Sequence, residues 1–171
     1  MSLSRTAVRI ATECHCTIVD HAERSFPQEC CGLLVGREKE NVVWIGEIHE
    51  SENLADDPTR WFEVDPTLRL QLQRGLRGSG RGIIGIYHSH PFGLAHPSPR
   101  DLECAWEPDL VWLIMSIQPE GVIESSVHVL TGDKDNLQFS EVPLRIEVLD
   151  RGLFHVSAAV PVWSIRRCLI R

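Results

Sequence analysis

The chain has 171 residues, which fits a single domain that buries a substantial core. Its formal net charge of -7 argues against a protein that binds nucleic acids, because such proteins normally present a basic face to the phosphate backbone. The sequence has no run of 18 apolar residues and no secretory signal pattern, so we expect a cytoplasmic protein without a membrane span.

The first predicted element is an amphipathic helix from Ala7 to about Arg24, because apolar residues recur there at spacings of three and four. Cys14, His15 and Cys16 lie within it, and consecutive residues fan out around a helix axis instead of converging on a metal. The chain's six cysteines lie in apolar segments without the spacing of a disulfide framework. We therefore expect them to be reduced and packed in the core.

An apolar run that follows Glu29 and ends near Gly36 predicts a short buried strand with Glu29 at its entrance. On the residues alone, Glu29 is either the exposed end of the strand or a carboxylate retained for function, and both interpretations stay open. A polar turn at residues 37–40 and a second strand over Asn41–His49 follow, which indicates a hairpin.

Polar residues from Glu50 to Arg60 predict a long loop, and loops of this size often border a functional site. Asp65 and Pro66 then have the pattern of a helix start, and the helix is expected to end in the glycine-containing region at residues 75–82. Its apolar face carries three leucines: Leu68, Leu72 and Leu76.

The apolar run Ile83–Tyr87 predicts a buried strand that ends in His88 and His90. Because side chains alternate along a strand, these two imidazoles point to the same face. The residues Ser98–Asp101 have the pattern of a helix start, with an N-cap serine and a proline in the first turn. Two histidines and Asp101 would make three metal ligands and leave a fourth position open, as in catalytic zinc sites. Taken singly, these residues also fit packed or surface histidines and a carboxylate that faces the helix dipole.

The rest of the chain is predicted to form mainly strands. The short helix continues over Leu102–Trp106, and the apolar segment Leu110–Ile117 is too continuous for an edge strand with one wet face. Further strands are predicted over Val122–Leu130 and Leu137–Val148, the second of them interrupted at Pro143.

The stretch from Gly85 to Asp101 has the pattern H-x-H-P, five residues, P-S-x-x-D, and it resembles the signature of the JAMM/MPN+ metallopeptidases, the JAB family. The resemblance covers about residues 7–145. It implies a mixed α/β, cytidine-deaminase-like fold in which helices flank a curved β-sheet and the zinc site lies at the sheet edge. We therefore expect one such domain over residues 1–150. The extension 151–171 is expected to pack on the domain or to form an oligomer contact, for example in a homodimer.

The resemblance also implies the roles of individual residues. The family carries a glutamate before a C-G-x-L-x-G strand, and Glu29 with Cys31–Gly36 matches it, so Glu29 is the implied carboxylate that moves the proton of the attacking water. Ser98 occupies the oxyanion-stabilising position of the family, and it can act as a helix N-cap as well. One zinc ion per chain is implied, with the ligands His88, His90 and Asp101.

The implied activity is hydrolysis of a peptide or isopeptide bond after the C-terminal Gly-Gly of a ubiquitin-like or sulfur-carrier protein, or removal of an amino-acid adduct from such a carrier. The compact chain is similar to the small prokaryotic members of the family. Two alternatives stay open. A non-catalytic MPN scaffold is disfavoured because all the metal ligands are present, and a RadC-like protein is disfavoured because the motif here is H-S-H-P-F-G and the chain is acidic.

Overall fold

The computed structural model of the chain describes residues 5–133 and 136–148. The extension predicted over residues 151–171 lies outside the described residues. Within the described ranges the chain forms three helices and eight strands, and none of these helices has the length and apolar character needed to cross a lipid bilayer. The helices are α1 (Thr12–Ser25), α2 (Pro66–Gly75) and α3 (Pro99–Glu103). The strands are β1 (Ala7–Ala11), β2 (Cys31–Lys39), β3 (Val42–Ser51), β4 (Gly82–Pro91), β5 (Val111–Gln118), β6 (Gly121–Thr131), β7 (Gln138–Val142) and β8 (Leu144–Glu147).

The described strands join in one sheet with the order β7-β6-β5-β4-β2-β3-β1-β8. β1 runs parallel to its neighbours β3 and β8, and β4 runs parallel to β5, whereas the other neighbours are antiparallel. Helices flank this curled, mixed sheet, which confirms the predicted α/β architecture. β5 lies in the interior of the sheet, as its continuous apolar sequence predicts.

Two apolar clusters cover the two faces of the sheet. On one face, Ile18 of α1 belongs to a cluster with the buried Tyr87 of β4. On the other face, Leu68 and Leu72 of α2 pack against a cluster that contains Ile86, so the predicted leucine face of α2 is confirmed. Each large apolar side chain buried in this way contributes about 1.5–3 kcal/mol to stability. The sheet is therefore held between α1 on one side and α2 with α3 on the other.

The predicted helix start at Ala7 is wrong, because the residues Ala7–Ala11 form β1 and α1 begins at Thr12. β1 pairs with β3 on one side and β8 on the other, and Val8 and Ile10 are fully buried. A strand that is covered on both faces has apolar residues at nearly every position, so part of it also fits a helical spacing. The periodicity of α1 therefore extends by coincidence into β1.

β2 and β3 form the predicted hairpin, but its turn is shorter than predicted. β2 continues through Arg37 to Lys39, and the two residues Glu40 and Asn41 make the connection. Both have positive φ angles, 54° and 64°, as a type I′ turn requires. The charged residues Arg37–Lys39 can belong to β2 because this end of the hairpin extends beyond the core, where their side chains reach solvent.

α3 ends at Glu103 and does not reach Trp106 as predicted. Pro108 prevents the helix from continuing further, because proline has no backbone N–H and disfavours helical conformation in the residue before it. Ala105 is buried after the helix, whereas Trp106 is 85% exposed. α3 is therefore little more than one turn, and its main consequence is the placement of Asp101.

Candidate metal centre

His88 and His90 lie near the C-terminal end of β4, in the middle of the sheet between β2 and β5. Alternation along the strand places both side chains on one face. His88 is fully buried and His90 is half-buried. The site therefore lies where the strands end, at the C-terminal end of the interior strand β4, and not on an edge strand.

The start of α3 brings Asp101 to the two histidines. Ser98 is the N-cap residue, and its hydroxyl accepts a hydrogen bond from the Asp101 N–H at 3.1 Å. In return, the Asp101 carboxylate accepts a hydrogen bond from the Ser98 N–H at 2.6 Å. This reciprocal capping box confirms the helix start predicted from Ser98 and Pro99. It also fixes the position of the Asp101 carboxylate through the backbone.

The three side chains converge on one point. The Nε2 atoms of His88 and His90 are 2.9 Å apart, and they lie 3.3 Å and 3.4 Å from the Oδ1 and Oδ2 atoms of Asp101. Zinc bonds of about 2.0–2.2 Å in tetrahedral geometry would place ligand atoms roughly 3.3–3.6 Å apart. The two separations between Asp101 and the histidines match this range, and the 2.9 Å between the histidines is shorter, so the three groups lie close enough to share one metal ion such as zinc. Among the residues that the structure describes, no other group of three or more potential ligands has this closeness.

The ring of His90 is oriented by a hydrogen bond on its far side. Its Nδ1 lies 2.9 Å from the carbonyl oxygen of Leu94, which can only accept, so Nδ1 carries the proton. The Nε2 atom then faces His88 and the Asp101 carboxylate. Metal-binding histidines usually have this arrangement, in which the second ring nitrogen donates to a carbonyl or carboxylate and fixes the tautomer.

The ring of His88 is held by aromatic packing. The Phe62 ring stacks on it at a centroid distance of 4.3 Å, and the Trp112 ring meets it at 90° with a centroid distance of 5.9 Å. Within the described part of the chain, the buried Nδ1 atom of His88 has no hydrogen-bond partner. The sequence indicated that the loop before α2 borders the site, but the contact of Phe62 and the role of Trp112 depend on tertiary packing and were not predicted.

The pKa shifts of Asp101 and His88 favour the protonation states that bind metals. Burial alone would raise the pKa of the Asp101 carboxyl, but hydrogen bonds with His88 and His90 outweigh burial and hold the pKa well below its usual range. Burial lowers the pKa of His88 and outweighs its interaction with Asp101. For His90, burial also acts to lower the pKa, but the hydrogen bonds to Asp101 and Leu94 raise it overall. Asp101 is therefore anionic and His88 is neutral at pH 7, which are the forms that bind metals.

Glu29 lies two residues before β2 and is buried, with 6% of its surface exposed. The pairing of Cys31 with His88 brings the start of β2 next to the end of β4. Burial raises the pKa of the Glu29 carboxyl to about 7, the charge of His90 lowers it and the charge of Asp101 raises it. Glu29 is therefore a buried carboxylate within electrostatic reach of the metal group, and the interpretation as an exposed strand end is wrong.

The loop between β3 and α2 holds the backbone of Glu29 in place. The Glu29 N–H donates to the carbonyl of Pro58 at 2.7 Å, and the Asn53 side-chain amide donates to the Glu29 carbonyl at 3.0 Å. The Asn53 side chain also accepts hydrogen bonds from the N–H groups of Ala55 and Glu63, each at 3.0 Å. Asn53 thus connects both ends of the loop to Glu29.

A comparison with protein families identifies the chain. The model for prokaryotic homologues of the JAB domain matches residues 12–128, which is more than half of the chain. The chain belongs to this family. The match spans Glu29, both histidines and α3, and it confirms the predicted resemblance.

Curated relatives of this JAB domain include a desampylase from Haloferax volcanii, which is 30% identical over 149 residues and is matched over 85% of this chain and 100% of the relative. A probable TtuB-protein conjugate cleaving protease from Thermus thermophilus is 39% identical over 88 residues, which are 50% of this chain and 55% of the relative. A CysO-cysteine peptidase from Mycobacterium tuberculosis is 31% identical over 99 residues, or 58% of this chain and 66% of the relative.

The fold is also similar to that of a Desulfitobacterium hafniense protein whose solution structure is known. The TM-score is 0.68 at 29% sequence identity, and the similarity covers 82% of this chain and 94% of that protein. The agreement extends over most of both chains, so the JAB-domain fold is shared as a whole and not only around the histidine motif.

The buried Cys30 of this JAB domain is not a second reactive site. The five described cysteines are free thiols, as predicted, but Cys104 is exposed, so the prediction that all of them pack in the core is wrong for this residue. Cys30 is buried, and burial raises the pKa of its thiol to about 12. Its thiolate is therefore scarce at neutral pH, and Cys30 is not suited to act as a nucleophile.

We expect Glu29→Gln to change the pH dependence of stability in the metal-free protein. The folded-state pKa of about 7 lies above the unfolded value. Glu29 therefore contributes most to the free energy of unfolding at low pH, and this contribution is lost as the pH rises through about 7. From pH 5 to pH 8 the stability of the variant should therefore improve relative to the wild type, by roughly 2–3 kcal/mol. Urea unfolding in the presence of a chelator at both pH values measures this difference. Glu52→Gln, which changes an exposed glutamate in the loop between β3 and α2, is the matched control. A wild-type stability profile that parallels the Glu29→Gln profile would contradict the effect of burial on Glu29.

Proposed function

We propose that this JAB domain is a zinc-dependent peptidase or isopeptidase that cleaves the bond after the C-terminal Gly-Gly of a ubiquitin-like or sulfur-carrier protein. The observation that carries the proposal is the convergence of His88, His90 and Asp101 within electrostatic reach of the buried Glu29. Three protein ligands with one position left for solvent or substrate are typical of catalytic zinc, whereas structural zinc is usually closed by four ligands.

The proposed metal is one zinc ion per chain, held by the Nε2 atoms of His88 and His90 and by the Asp101 carboxylate. When bound, zinc supplies a Lewis acid that acidifies a water molecule and polarises a carbonyl group. The residues around the site hold the ligands in place. The Leu94 carbonyl fixes the His90 tautomer, and the Phe62 ring fixes the plane of His88.

Glu29 is the proposed general base and acid. Its pKa of about 7 lets it exist in both protonation states near neutral pH, and such a carboxyl can take a proton from the attacking water and give it to the leaving amine. The backbone hydrogen bonds to Pro58 and Asn53 keep Glu29 at the start of β2 while this transfer occurs.

Ser98 is the proposed hydrogen-bond donor to the oxyanion that forms on the scissile carbonyl. Its oxygen accepts from the Asp101 N–H as an N-cap, and the hydroxyl hydrogen can still donate. We expect Ser98→Ala to lower kcat by about 10²-fold or more and to reduce the free energy of unfolding by about 1 kcal/mol. Ser98→Thr keeps the hydroxyl and is the control. Steady-state kinetics that are unchanged in Ser98→Ala would limit Ser98 to its capping role.

The relatives support the proposed class of substrate. Their names refer to a desampylase, to cleavage of TtuB–protein conjugates and to a CysO–cysteine peptidase. The described surface beside the metal group also suits contact with a protein, because Phe92 and Leu94 in the loop after β4 are 64% and 71% exposed. We also propose a cytoplasmic location, in keeping with the free thiols, while the homodimer remains a prediction.

The direct test uses a ubiquitin-like carrier that ends in Gly-Gly and three extensions of its C-terminus: a single cysteine, a linear peptide and an isopeptide-linked lysine. We expect the zinc-loaded protein to release the free Gly-Gly end from at least one of them, as measured by mass spectrometry, and a chelator to prevent release. If zinc is bound and all three substrates stay intact, the scaffold alternative would replace this proposal. Salt-sensitive binding of branched DNA would favour the RadC-like alternative.

A further inference from the structure

A groove of about 780 Å³ lies on the sheet face that α1 covers. Its walls are α1, the hairpin between β5 and β6, and β8, which contribute residues such as Val19, Ile117 and Leu144. The metal group lies on the other face of the sheet. There His88 contacts Phe62 and Trp112, which belong to the same apolar cluster as the leucines of α2. The groove is therefore separate from the candidate catalytic centre.

Part of the apolar lining of the groove is exposed. Ile123 on β6 and Ile146 on β8 both line it, and they are 64% and 47% exposed. Val148, which follows β8, is 80% exposed. Large aliphatic side chains grouped around a concave surface are typical of a binding surface. This groove is suited to an apolar segment.

The groove has an acidic lining. Asp20 and Glu23 of α1 and Glu120 and Glu124 of the β5–β6 hairpin belong to it, and none of its described lining residues is a lysine or arginine. His15 also lines it, and burial lowers the pKa of this imidazole, so it adds no positive charge at neutral pH. An occupant with positive charge next to its apolar part would complement this surface.

The chain itself continues from this groove. Leu144 and Ile146 of β8 line it, and Val148 follows β8 as the last described residue before the segment 149–171. These 23 residues contain the apolar run Val160–Ile165 followed by Arg166 and Arg167, and they carry four arginines against one aspartate. An extended chain spans about 3.3 Å per residue, so the residues before Val160 suffice to reach across the groove.

We propose that the C-terminal segment 153–167 docks in this groove. In this arrangement the apolar run covers Ile123 and Ile146, and Arg166 and Arg167 lie against the acidic side chains of α1 and the hairpin. The docked segment shields apolar surface at β8, which is the last strand of the sheet among the described residues. It leaves the face with His88 and His90 open to a substrate.

Hydrogen exchange of the full-length protein, followed by mass spectrometry, tests this proposal without any activity measurement. In the wild type, we expect amides of residues 153–167 to exchange at least 10-fold more slowly than in an unstructured chain. Ile123→Asp places a charge in the groove at an exposed position, so the core should stay folded while protection of the segment is lost. Leu70→Asp is the matched control, because Leu70 is a 53% exposed leucine on α2 and does not line the groove.

Three results would overturn the proposal. Exchange of residues 153–167 at unprotected rates in the wild type would show that the segment is not docked. Protection that persists in Ile123→Asp would place the segment elsewhere. Protection that rises with protein concentration together with a dimer mass in light scattering would assign the groove to a second copy of the chain. None of these results depends on metal binding, so the proposed hydrolase activity is tested separately.

Discussion

His88→Ala is expected to abolish both zinc binding and hydrolysis while the protein remains folded. His88 is fully buried, and its Nε2 atom lies 2.9 Å from that of His90 and 3.3 Å from Asp101. Removal of the imidazole leaves two ligands, which are too few for a catalytic zinc site. Metal analysis after dialysis should fall from about one zinc per wild-type chain to a small fraction, and cleavage of a carrier conjugate should fall to background.

A matched control separates ligand loss from the loss of a buried imidazole. His128 is also buried on the sheet, but its Nε2 bonds to Ser126 at 2.8 Å and it is outside the metal group. His128→Ala should therefore keep its zinc. If His88→Ala retained a full complement of zinc, His88 would have to be removed from the ligand set and the site would need a different geometry.

Glu29→Gln is expected to keep the metal and lose the activity. Glutamine has nearly the size of glutamate and keeps the backbone bonds to Pro58 and Asn53, but it cannot exchange a proton. Removal of a general base and acid typically lowers kcat by about 10²–10⁴-fold. Zinc content by mass spectrometry and single-turnover cleavage of the same carrier conjugate measure the two properties side by side.

The exposed Glu52 provides the comparison for this variant, and Glu52→Gln should behave like the wild type in both measurements. Full turnover in Glu29→Gln would remove Glu29 from the proton transfer. A loss of zinc in Glu29→Gln would instead place Glu29 among the ligands. The two outcomes differ in metal content and are therefore easily distinguished.

The local parts of the candidate metal centre could be predicted from the sequence. Two histidines with one residue between them must lie on the same face of a strand, and the residues Ser98–Asp101 carry the signals of a helix start. The structure confirms both, including the capping box in which Asp101 participates. These features depend on contacts within a few residues, so the sequence contains them directly.

The non-local parts could not be derived from the residues alone. Glu29 reaches the site because Cys31 pairs with His88, more than 50 residues further along the chain, and no local pattern specifies this pairing. Its role was proposed only through the family resemblance. The contact of Phe62 with His88 has the same origin in tertiary packing. The sequence of β1 also fits a helix, because the neighbours β3 and β8 that bury this strand are distant in sequence.

The zinc dissociation constants of the wild type, Asp101→Ala and Ser98→Ala test the central claim most directly. Ser98 and Asp101 are the two halves of one capping box, so each variant breaks the helix start, but only Asp101 belongs to the ligand group. We predict about one tightly bound zinc per chain in the wild type and in Ser98→Ala, and a large loss of affinity in Asp101→Ala. Equal affinity in all three proteins, or no zinc binding by the wild type, would contradict a catalytic zinc centre at the end of β4.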